Sequence, residues 1–180
     1  MVKAKRIAIY ALAFVICSLL FMPVSFLELS HYHQGVVYQR IVVRPDTEYT
    51  IRYIHSVMKT PVYEHYRALP DGRMMLTETI FSSYGAGLPE TTTNKFEMTD
   101  KGFRIYDINQ PFDFIVYRTA PVETGADITL ILQNQEYSFL SFSSERTPVR
   151  IMLKRQPTGL YQIREGSEWL MKRSAQKQVK

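Results

Sequence analysis

The sequence predicts a mainly β protein, an antiparallel sandwich or barrel-like domain behind one N-terminal transmembrane helix. Three observations predict it. Beyond His33, short runs rich in β-branched and aromatic residues recur at hairpin spacing, separated by turn signals. Ile7 to Leu27 is an uncharged, largely apolar run preceded by Lys3, Lys5 and Arg6. Neither a βαβ alternation nor an internal repeat is present, so an α/β sheet and a solenoid are set aside.

The leader is read first. At about 1.5 Å per helical residue, the Ile7–Leu27 run matches a hydrocarbon layer of roughly 30 Å. The basic start, residues 1–6, is expected in the cytoplasm and everything after Glu28 outside. A cleaved signal peptide is the alternative, but Pro23, Ser25, Glu28 and Ser30 make poor cleavage sites, so residues 7–27 are expected to stay as a signal-anchor. Cys17, the single cysteine, lies inside the run. No intrachain disulfide is available, and the fold must stand on its core.

The β domain is expected over residues 34–156. Val36–Tyr38 and Ile41–Val43 read as strands ending at Pro45-Asp46. From Thr47 to His55, Tyr49, Ile51 and Tyr53 point one way while Thr50, Arg52 and Ile54 point the other. Val62–Leu69 and Met74–Phe81 form a hairpin around Pro70-Asp71-Gly72. Turns follow at Asp100-Lys101-Gly102 and near Gly125-Ala126. Phe103, Ile105, Phe112, Phe114, Val116, Ile128, Leu130 and Leu132 supply the period-two apolar set. Tyr137, Phe139 and Val149–Leu153 add late strands. Residues 157–180 are a basic tail: a short helix over Ser167–Gln178 and a frayed, solvated end are equally consistent with it.

Charge is concentrated at the ends. The net charge of +5 includes eight bases against two acids from Arg150 to Lys180, and with Lys3, Lys5 and Arg6 removed, 11 bases face 15 acids between the ends. Nucleic acid is therefore not an expected partner, since its binding needs a basic stripe on the folded body.

Two segments carry more polar chemistry than a core needs. Tyr53 to Glu64 packs His55, Ser56, Lys59, Thr60, Pro61 and Glu64 between two strands. Ser83-Tyr84-Gly85-Ala86-Gly87-Leu88-Pro89 has a sterically open backbone suited to cradling a carboxylate or anion. Catalysis is disfavoured: Ser56 and His55, as neighbours, point to opposite faces of a strand, and no G-x-S-x-G elbow occurs. No metal or other cofactor is expected either. His31, His33, His55, His65 and Glu64 are ligand types for zinc, yet Glu64 and His65 should diverge on a strand. The plain architectural reading has His55 capping a strand pair and the glycines turning a corner.

The stretch Y-I-H-S-V-x-K-T-P-V-Y-E followed by S-Y-G-A-G-L-P resembles the signature of domain of unknown function 1850, and Tyr117-Arg118-Thr119-Ala120 is similar to that family's second half. The resemblance implies a non-enzymatic accessory of a TRAP-type (TAXI) solute transporter, meeting the permease or its solute-binding protein through these two segments. The alternative is an independent exported domain that binds a small ligand or a metal.

Overall fold

The computed structural model describes residues 2–55, 58–82, 93–100 and 102–167. Its chain divides into two compact units, Met1–Ser25 with Arg155–Lys180, and Phe26–Lys154.

The first unit contains helix α1 (Val2–Phe21). It stops where it must: Pro23 disfavours helix at the residue before it, and Met22 N–H still reaches back to the Ser18 carbonyl at 3.1 Å. The strand β1 (Pro23–His31) starts at once. The expected 21-residue anchor is thus split, because Pro23 to Leu27 belong to a strand. The apolar part of the helix, Ile7–Phe21, rises only about 22 Å against a layer of roughly 30 Å. Among the described residues no helix is long and apolar enough to cross a membrane. A second helix, α2 (residues 158–167), precedes the one expected from Ser167, and residues 168–180 lie outside the described ones. Thr158 N–H and its hydroxyl both bond the Met22 carbonyl, each at 2.8 Å. A Cβ on Gly159 would stand 3.3 Å from the Leu20 carbonyl oxygen, so the small residue permits this close approach.

The second unit is a two-sheet sandwich. Its further strands are β2 (Val37–Val43), β3 (Glu48–Ile54), β4 (Pro61–Ala68), β5 (Met74–Phe81), β6 (Lys95–Thr99), β7 (Gly102–Phe112), β8 (Ile115–Arg118), β9 (Thr129–Leu132), β10 (Gln135–Ser138) and β11 (Pro148–Pro157). One sheet runs β2-β1-β11-β8 and the other β10-β9-β3-β4-β5-β7-β6. Every pairing whose register is described is antiparallel. Leu27 and Leu29 from β1, Ile115 from β8 and Ile151 from β11 meet Tyr49, Ile51, Tyr66 and Leu130 in one core. The two sheets face each other across it, as two half-apolar layers must.

The alternation expected along β3 holds: Tyr49 and Ile51 are buried, while Thr50 and Arg52 bond on the other face. The β4–β5 hairpin closes at Pro70-Asp71-Gly72, with Gly72 N–H on the Leu69 carbonyl at 3.2 Å. Gly102 opens β7 with φ +117, and a Cβ there would lie 2.5 Å from the Phe81 carbonyl oxygen. β8 differs by one residue from expectation. Ile115 faces the core while Phe114 and Val116 stay exposed, because the chain turns at Asp113 between β7 and β8 and a one-residue slip swaps the faces of a strand.

Candidate functional site

The segment Tyr53–Glu64 folds as the β3–β4 connection and the start of β4. His55 is buried; its N–H bonds the Thr60 carbonyl at 2.8 Å, its carbonyl receives Lys59 N–H at 2.9 Å, and its Nδ1 accepts Met58 N–H at 3.2 Å. Lys59 takes the left-handed backbone, φ +54, that such a turn needs. The residues His55, Lys59 and Thr60 therefore build a turn, and Pro61 opens β4. Ser56 and the whole segment 83–89 lie outside the described residues.

Glu64 has a different part. In β4 the inward positions are Val62, Glu64, Tyr66 and Ala68, so the carboxylate points between the sheets. Its Oε1 accepts the Tyr53 hydroxyl at 3.1 Å, and its Oε2 accepts the Tyr66 hydroxyl at 2.9 Å and that of Tyr117. Tyr53 and Tyr66 sit on the same sheet as Glu64; Tyr117 comes from β8 in the opposite one. The Tyr66 and Tyr117 hydroxyl oxygens are 3.1 Å apart. Tyr49 stacks on Tyr66, ring centroids 5.5 Å apart, and its buried hydroxyl has no hydrogen-bond partner among the described residues.

Burial, and then the adjacent Glu64 charge, push the phenols of Tyr53, Tyr66 and Tyr117 well above the ordinary tyrosine value. They remain protonated, so each hydroxyl donates to the carboxylate. Among the described residues no basic side chain pairs with Glu64. The arrangement presents a negative charge, solvated by phenols, at the seam between two sheets.

A second polar region was not expected. On the outer face of the larger sheet, Thr50, His65 and Glu78 are successive cross-strand neighbours. Thr50 Oγ1 lies 2.8 Å from His65 Nδ1, and His65 Nε2 lies 3.6 Å from Glu78. Arg104 ties Glu78 to Glu97, with 2.7 Å to the latter. His65, Glu78 and Arg104, with Glu48, Arg67, Thr77, Tyr106, Asp107 and Asn109, line an open cleft of about 530 Å3. Its acids and bases already pair with one another, as Arg67 does with Glu48 at 2.8 Å and Lys95 with Asp107 at 2.5 Å. The sequence hides this row because β4 and β5 slip register. Tyr66 pairs with Leu76, but His65 pairs with Glu78, Thr77 being the extra residue of a bulge.

His65 and Glu64 do diverge onto opposite faces. His31 ends β1 and caps the turn that follows, its Nδ1 accepting the N–H groups of His33 and Gln34 at 3.2 Å each. Among the described residues no group of three histidine, cysteine or acidic side chains is placed to hold a metal. The class so defined is a two-sheet antiparallel β domain with an acid–phenol cluster between its sheets. Residues 49–139, just over half of the chain, match the domain of unknown function DUF1850, and the chain belongs to that family. Comparison with curated proteins and with solved structures finds no match.

Proposed function

We propose that this chain is a membrane-attached accessory protein whose β domain docks through its Glu64 face onto a TRAP-type (TAXI) permease or its solute-binding protein. The observation that carries the membrane part is α1. Ile7, Ile9, Tyr10, Leu12, Phe14, Val15, Ile16, Leu19, Leu20 and Phe21 are all exposed, and at about 100° per residue they fall on every side of the helix. A helix apolar all round belongs in a protein core or a bilayer. With Lys3, Lys5 and Arg6 snorkelling to headgroups, the 20 residues of α1 extend to about 30 Å. The basic end then faces the cytoplasm and the sandwich lies outside. Confining both partners to one membrane raises their encounter, as a tether does.

The transporter part is supported by the resemblance of Tyr53–Glu64 and Ser83–Pro89, and by a charged acid left at the sheet seam for a partner to meet. Membrane fractions washed at high pH should retain the protein, and a periplasmic reporter fused after Lys180 should be active. Release by the wash, or activity of a cytosolic reporter alone, overturns the attachment. Affinity capture from detergent should recover the permease or the solute-binding protein, and Glu64→Ala should lose it. Equal recovery with Glu64→Ala overturns the docking face.

A further inference from the structure

Glu64 is a charge that no described residue balances. A buried or half-buried carboxylate ordinarily pairs with a base, since an ionised group out of water is costly. Here three neutral phenols take that place, and their dipoles solvate the charge without cancelling it. The cluster is also graded in depth. Glu64, Tyr53 and Tyr117 are only partly buried, whereas Tyr66 and Tyr49 are each 3% exposed and form its floor. At that floor the Tyr49 hydroxyl is buried without a partner among the described residues, a costly arrangement at a site that is purely structural.

We propose that the Glu64 face binds an organic cation, an ammonium or guanidinium group, seated on the carboxylate and against the rings of Tyr53 and Tyr117. Among the described residues Oε1 receives only Tyr53, so a lone pair remains for an N–H donor. The Tyr53 and Tyr117 rings lie 6.0 Å apart, centroid to centroid, and their faces attract a cation that the carboxylate has already drawn in. An anion would be repelled by Glu64. A hard divalent metal wants several charged oxygens, and only one carboxylate is present. The ligand is a free amine or a lysine side chain of the docked partner; the recognising chemistry is the same. This deepens the reading of the Glu64 face as a binding surface and rests on it.

The full chain in nanodiscs is titrated with methylammonium and guanidinium chloride, with sodium chloride matched in ionic strength, following tyrosine near-ultraviolet absorbance. A saturable change beyond that from sodium is expected. It should weaken at least about tenfold in Glu64→Gln, the loss of one charge-assisted bond, and persist in Glu48→Gln on the outer face. Should Glu64→Gln lose its native circular dichroism, Tyr53→Phe takes its place and should also weaken the response. No response beyond sodium, or an equal one in these variants, overturns the proposal. Carbodiimide coupling in native membranes separates the sources. A Glu64-dependent protein adduct identifies a partner's lysine, and its absence beside a positive titration identifies a free amine. Partner capture lost on Glu64→Ala without any cation response keeps the docking face and overturns the cation.

Discussion

Glu28 and Glu64 are two acids withdrawn into one sandwich, and they are held by opposite means. Glu28 sits in β1, 1% exposed, between Arg40 of β2 at 3.0 Å and Lys154 of β11 at 2.6 Å. Burial works against its ionisation, yet the hydrogen bonds and attraction of Lys154 and Arg40 outweigh it and hold the carboxyl below its ordinary value. The Arg40 side chain is itself 2% exposed. Glu28 is thereby neutralised within its own sheet and laces three strands together. Glu64 instead reaches across the core to a phenol of the facing sheet, and among the described residues no base pairs with it. The first acid is spent on architecture; the second is left able to meet something else.

Breaking the first acid should cost most. Glu28→Ala removes the buried acid that both Arg40 and Lys154 bond, and about 3 kcal/mol of stability should be lost, read from urea unfolding midpoints. Tyr117→Phe removes one bond to a charged acceptor and should cost about 1.5–3 kcal/mol. A loss from Tyr117→Phe as large as that from Glu28→Ala would make the phenol cluster an equal structural clamp and erase the contrast. Glu48→Gln, at a mostly exposed ion pair with Arg67, should change stability by about 0–1 kcal/mol.

The pH dependence sharpens the same contrast. The Glu28 carboxyl is depressed on folding, so its contribution is full above the unfolded value, about 4.3, and is lost as pH falls through the lower folded value. Wild-type midpoints should fall in that acid range, and the fall should be shallower in Glu28→Gln. The phenols run the other way. Their folded values are raised, so their contribution is full below about pH 10 and is lost as pH climbs toward the folded values. Absorbance titration should show a set of tyrosines that ionise only as the domain unfolds, and Tyr117→Phe should reduce that set.

Much of the sandwich was legible because its signals are local. Period-two alternation marked Tyr49 and Ile51 as core, and Pro70-Asp71-Gly72 marked the hairpin. β1 was not legible: Phe26, Leu27 and Leu29 are buried in a strand covered on both sides, and a continuous apolar run reads equally as helix or strand. β6 carries only Phe96 and Met98 as apolar residues, both exposed, and left little pattern. Of the described candidate residues, His55, Lys59 and Thr60 proved to be a turn and Glu64 entered the phenol cluster. Tyr53, Tyr66 and Tyr117 looked like ordinary strand aromatics, since nothing near Tyr117 in the chain points to Glu64.

By itself the sequence determined the β class, the apolar basic-tipped leader, the main hairpin and the polarity of the Tyr53–Glu64 segment, because propensity, periodicity and turn chemistry act over a few residues. The tertiary structure alone decided that Pro23–Leu27 join a sheet, which acid is neutralised and which is not, and that His65 meets Glu78. Those outcomes depend on strand register and on which strands become neighbours across 50 to 130 positions of chain, as for Tyr117 with Glu64 and Lys154 with Glu28. No local pattern carries that information.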